Sequence, residues 1–93
     1  MKNGDISEFI DQLYYGGELV FEYESKKYFL QGWTKGNTCK MVLDIVSDAP
    51  FHGYLWEYEA ETMKECAEAF LAAPLWDGKD FQQVQEDVIW SDW

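Results

Sequence analysis

Three consecutive runs constrain this chain most: "ELVFEYE", "KYFLQGW" and "TCKMVLDIV", which together span Glu18 to Val46. Each is rich in β-branched and aromatic residues, and each alternates with the period of a half-buried strand. The joints between them are short. A two-residue turn at Ser25-Lys26 sets Tyr23 opposite Tyr28 and Phe21 opposite Leu30. A two-residue turn at Gly36-Asn37 suits a hairpin, because both residues tolerate positive φ. It sets Leu30 opposite Leu43 and Gly32 opposite Met41. The two registers agree on one apolar face: Leu19, Phe21, Tyr23, Tyr28, Leu30, Cys39, Met41, Leu43 and Ile45. A slip of one residue would turn that whole set to the other side, so a buried face specifies the register.

A sheet with one apolar face needs a second layer, and the flanking segments supply it. In "DISEFIDQLYYGG", Ile6, Phe9, Ile10 and Leu13 fall on one helical face, with Asp5 and Glu8 spaced as a capping box and Gly16-Gly17 as the stop. "SDAPFHG" reads as a loop, and "YLWEYEA" as a fourth strand with Tyr54, Trp56 and Tyr58 on one side. "ETMKECAEAFLAA" carries the stripe Met63, Cys66, Ala67, Phe70 and Leu71, capped by Thr62 with Glu65 and ended by Pro74. "WDGK" reads as a turn, with Trp76 in the connection. A third helix then starts at Asp80 with Gln83 in the capping-box position. Its stripe is Phe81, Val84 and Val88, and Ile89 and Trp93 share a face if it runs to the end. The expectation is an α+β fold spanning 1–93 as a single domain: an N-terminal helix, an antiparallel β-meander of three to four strands, and two C-terminal helices packed on the sheet. A chain of 93 residues buries only roughly 60–65% of its unfolded surface. Its core must therefore be dense, and a composition 18% aromatic argues for such a core and against disorder.

Chemistry is hard to find. The single histidine, His52, sits beside Gly53 in the loop, away from any triad or Cys-His context. Cys39 falls on the core face of a strand and Cys66 on the apolar stripe of a helix, so both read as buried thiols. They form no CxxC, which argues against zinc. The pairs Glu22 with Glu24 and Glu57 with Glu59 raise a two-carboxylate hydrolase, but so small a meander has little room for a substrate cleft. The sequence has no EF-hand loop, P-loop or GxGxxG. The expectation is no catalytic residues, no metal and no cofactor. "MKNGDISEF" is too polar for a signal peptide, and no apolar run approaches the ~20 residues of a membrane span. A reduced, cytoplasmic protein is expected.

Charge is the more telling property. Eighteen Asp and Glu face seven lysines and no arginine, a net charge of -11. Nucleic-acid binding needs cations to displace counterions, so direct contact with DNA, RNA or an anionic membrane is not expected. A basic protein surface is the natural partner. The face opposite the expected core mixes Val20, Phe29, Trp33, Val42 and Val46 with Glu18, Glu22, Glu24 and Asp44, and with Lys27 and Lys40. Aromatic anchors inside a charged rim are the anatomy of a protein interface. The candidate protein-binding residues are Glu18, Glu22, Glu24, Phe29, Trp33, Val42 and Asp44. A covering helix, or a homo-oligomer formed through this sheet face, would account for the same apolar groups.

Two stretches resemble known proteins. "FIDQLYYGGELVFEYESKKYFLQGW" resembles the start of many short, uncharacterised acidic proteins of Gram-positive bacteria and their mobile elements, where a brief helix leads into two such strands. "FLAAPLWDGKDFQQVQEDVIW" resembles the end of such proteins, where a "DGK" turn joins two helices. Together they cover roughly half the chain, and they carry no catalytic residues across. In size, charge and element order the chain is also similar to small anti-CRISPR inhibitors, which implies mimicry of nucleic-acid charge on a basic groove. No motif is shared, and fold-level likeness is a weak warrant for function. The resulting expectation is a non-catalytic, acidic protein-binding module. An immunity protein or antitoxin, an accessory subunit associating through the aromatic sheet face, and a small enzyme are the alternatives.

Overall fold

The two hairpins organise the molecule, and the computed structural model describes residues 1–46 and 53–91. Strands β1 (Leu19–Tyr23), β2 (Lys26–Lys35) and β3 (Thr38–Ile45) form an antiparallel meander. The β2–β3 register is the one expected, with Leu30 opposite Leu43 and Gly32 opposite Met41. The β1–β2 turn lies one residue earlier than expected. Glu24 and Ser25 form it, at φ 50° and 66°, so that Phe21 faces Tyr28 and Leu19 faces Leu30. Two left-handed residues give the turn the twist that neighbouring strands require. The register moves by two, so every side chain keeps its face.

The meander continues to β4 (Trp56–Ala60), which pairs with β3. The loop reading of 47–52, including His52, and the placing of Trp93 lie outside the described residues. A fifth strand, β5 (Ile89–Ser91), pairs antiparallel with β1, giving the order β4-β3-β2-β1-β5. This corrects the expected three to four strands and the expected long last helix. The helix at the tail, α3 (Phe81–Val84), has the expected capping box of Asp80 and Gln83 but gives way to one 3-10 turn at Gln85–Asp87. The β-branched and aromatic run that follows then joins the sheet, where such side chains pack well.

Helices α1 (Ile6–Tyr14) and α2 (Met63–Ala72), with α3, cover one face of the sheet. Asp5 caps α1 by accepting the Ser7 N–H at 2.8 Å. Its far end closes with the Gly17 N–H on the Gln12 carbonyl and the Gly16 N–H on the Leu13 carbonyl, the paired bonds of a Schellman stop. Gly16 takes φ +72° there. Met63, at the head of α2, lies so near Gly16 and Gly32 that a Cβ on either would crowd it. Thr62 caps α2 by accepting the Glu65 N–H at 3.2 Å, as expected, but the return bond of the capping box is replaced by one from the Thr62 hydroxyl to the Glu65 carboxylate at 3.1 Å.

Between the layers lies one cluster that joins Phe9 and Leu13 of α1, the expected strand face, Cys66, Ala67 and Phe70 of α2, and Phe81, Val84 and Val88. Its centre is aromatic. Phe9 stacks on Phe81 at 5.0 Å, and Phe21 and Phe70 meet Phe81 at 5.5 and 5.4 Å. Each such ring contributes about 1.5–3 kcal/mol through burial. Trp76 belongs to this cluster, edge-on to Phe21, Tyr28 and Phe70. The "WDGK" turn sets it there: Asp77 and Gly78 both take positive φ, and Trp76 and Lys79 exchange two backbone bonds. Trp90 packs against the same cluster from β5, with its ring 5.4 Å from Phe9.

Candidate protein-binding surface

The helices leave the second face of the sheet without a helical layer among the described residues. Strand parity brings Glu22, Phe29, Trp33, Val42 and Asp44 to this face, as the sequence implies. Phe29 lies between Val20 and Asp44, and Trp33 lies beside Lys40. The face is uneven. Val20 and Val42 are buried, Val42 to 0% exposure, although neither belongs to the main cluster. Val42 therefore offers no surface of its own. Trp33 is 37% exposed and Phe29 half-buried. Glu18 stands exposed just before β1, and Glu24 lies in the turn rather than on the strand face. Asp44 accepts the N–H of its neighbour Ile45 at 2.8 Å, so part of its carboxylate is tied to the backbone.

Beyond β3 the acidic character continues on β4. Glu57 sits opposite Val42 and Glu59 opposite Lys40. Lys40 bonds Glu57 at 3.0 Å. That bond and the charge behind it hold the Lys40 ammonium above its usual pKa. The expected carboxylate pairs do not converge on a cleft. Glu22 and Glu24 are divided between strand and turn, and Glu57 is engaged by lysine. An open groove of about 660 Å³ lies near the β5 side, lined among others by Glu8, Glu22, Lys27 and Trp90. Among the described residues, no group of three or more His, Cys, Asp or Glu is placed to hold a metal ion. No helix there is long and apolar enough to cross a membrane.

Both cysteines are buried and unbridged. The Cys66 thiol points at the carbonyls of Cys39 and Tyr58, at 3.5 and 3.8 Å. Burial, and then the neighbouring Cys39, push its pKa up, which keeps it protonated and unreactive. Tyr23 is raised as well, by burial first and by Glu24 next.

Sequence reasoning missed an aromatic pair at the sheet edge, on the opposite, helix side of the sheet. Trp56 and Tyr58 stack in parallel, with centroids 6.1 Å apart, at the outer edge of the sheet, and Tyr58 is 41% exposed. The alternation of "YLWEYEA" placed them on one side of a strand. It could not show that this strand is an edge, because the order of the sheet depends on β5. Compared with known proteins, the chain matches no family model, no curated protein and no solved structure.

Proposed function

We propose that this chain is a non-catalytic protein-binding module whose carboxylate-rich surface docks on a basic protein. The observation that carries this reading is the imbalance of charge together with its placing. Seven lysines cannot neutralise eighteen acids, whatever pairs form. On one sheet face Glu22, Asp44, Glu57 and Glu59 outnumber Lys27 and Lys40, beside the exposed ring of Trp33. Such a field repels nucleic acid and speeds encounter with a cationic surface. In its sharpest form, the module inhibits a nucleic-acid-handling protein by presenting phosphate-like charge to its groove.

The exposed Trp33 supports a second reading, an accessory subunit held through the aromatic face. Salt separates the two. The Debye length falls from about 10 Å at 0.1 M salt to about 3 Å at 1 M, so an electrostatic partner washes away. Capture of a basic partner from a bacterial lysate at low salt, and its loss at about 0.5 M, is the outcome expected. Retention at high salt, abolished by Trp33→Asp in a folded protein, would favour the subunit instead. No specific partner at either salt would overturn both.

A further inference from the structure

The two edges of the sheet are finished differently. On the outer side of β5, Lys2 forms a parallel bridge with Ile89, donating to the Val88 carbonyl and accepting from Trp90 at 2.8 Å each. On the outer side of β4, no strand and no backbone bond is present among the described residues. An antiparallel edge strand leaves one alternate set of its N–H and C=O groups pointing away from the sheet, ready to pair with another chain. The side chains of β4 are sorted as well. Trp56 and Tyr58 line the helix side as a parallel aromatic pair, and Glu57 and Glu59 line the other.

We infer that β4 is a docking edge, which an extended basic segment of a partner protein extends by strand addition. The inference rests on the reading of a basic protein partner and names where and how that partner binds. Charge selects the occupant. If β4 paired antiparallel with a second copy of itself about Tyr58, Glu57 would face Glu59 twice, and centring on Glu57 or Glu59 would set that residue against its own copy. Like charges directly opposite destabilise a sheet. A segment with Lys or Arg at alternate positions and apolar residues between them meets the opposite situation. Its cations stand beside Glu59 and beside Glu57, whose carboxylate is shared with Lys40, and its apolar side chains continue the Trp56–Tyr58 surface. Main-chain bonds then supply affinity while the alternating side chains supply selectivity.

The test uses a synthetic peptide, Lys-Val-Lys-Val-Lys-Val-Lys with neutral blocked ends, and the same peptide methylated on every backbone amide. The charges are identical, but the methylated form cannot donate main-chain hydrogen bonds. The parent peptide should bind the folded protein at low salt and slow amide exchange within Trp56–Ala60. Methylation should weaken binding about tenfold or more, because several hydrogen bonds are lost together. Glu59→Lys, at an exposed position, should weaken the parent peptide as well. Equal binding of both peptides would overturn strand addition and leave attraction by charge alone. Protection that appears elsewhere, or no binding of the parent peptide, would overturn the assignment to β4. Either result beside a salt-sensitive partner from the lysate would spare the broader reading, and failure of both experiments would remove it.

Discussion

At one edge of the sheet, Lys2 and α1 close over β5; at the other, β4 ends the sheet with stacked rings on one side and carboxylates on the other. The first edge is short and tied into the core. Trp90 lies on Phe9, and the terminal ammonium of Met1 bonds Gln85 at 2.8 Å. The second is tied inward by Trp56 on Phe70 and by the Cys66 thiol on the Tyr58 carbonyl, but nothing described covers its outer side. Natural sheets close or charge their edges against unwanted pairing. Here one edge is closed and the other is charged. The charged one remains available to a chain of the opposite sign.

The comparison can be broken most severely from the closed side. Phe9 is fully buried and touches Phe21, Phe81 and Trp90. Phe9→Ala should cost about 3–5 kcal/mol, a large part of the ~5–15 kcal/mol that holds such a domain. Tyr58→Ala, on the open edge, should cost about 1 kcal/mol or less. Chemical denaturation of the two variants checks the contrast, and equal losses would erase it. Next in size is Gly4→Ala. A Cβ there would run into the Trp90 ring, so the ring must leave Phe9 or the chain must lift from β5. A loss of about 1–3 kcal/mol is expected, with faster amide exchange at Trp90 and none of that change in β4.

A third prediction concerns alkaline pH and the inner anchor of β4. The Cys66 thiol is raised by burial, so the unfolded chain releases that proton first as pH climbs. Its contribution to stability is whole below the ordinary thiol value of about 8.5 and is lost as pH rises through the folded value. Tyr23 and Lys40, also raised, act in the same direction at higher pH. Melting temperature should therefore fall above about pH 8.5, and Cys66→Ala should flatten the first part of that fall. The smallest effect lies away from both edges. Ser25 holds φ 66° in the β1–β2 turn, and Ser25→Gly should add about 0.5 kcal/mol without altering exchange at either edge.

How much of this was legible follows from what is local. The core face of the meander could be read because two short turns leave the strands little freedom, and parity survived even where the first turn was displaced. The stripe Met63, Cys66, Ala67, Phe70 and Leu71, the caps at Asp5, Thr62 and Asp80, and the "WDGK" turn depend only on neighbours a few residues apart. β5 was not legible in the same way. Phe81, Val84 and Val88 have helical spacing and are all buried, yet the helix stops at Val84. A short apolar run does not declare its period, and the partner of β5 is β1, far away in sequence. The candidate surface divides along the same line. Parity placed Glu22, Phe29, Trp33 and Asp44 together. The closure of Val42, and the exposure of Tyr58 beside half-buried Trp56 at an edge, depend on how five strands are ordered.

The most direct test of the open β4 edge is residue-resolved amide exchange on the free protein, with its mass in solution measured on the same sample. A monomer is expected in which one alternate set of β4 amides exchanges rapidly, while the Lys2 and Trp90 amides that close β5 exchange slowly. Uniformly protected β4 amides in a dimer would contradict it, because a second copy would already occupy the edge that the carboxylates are held to keep free.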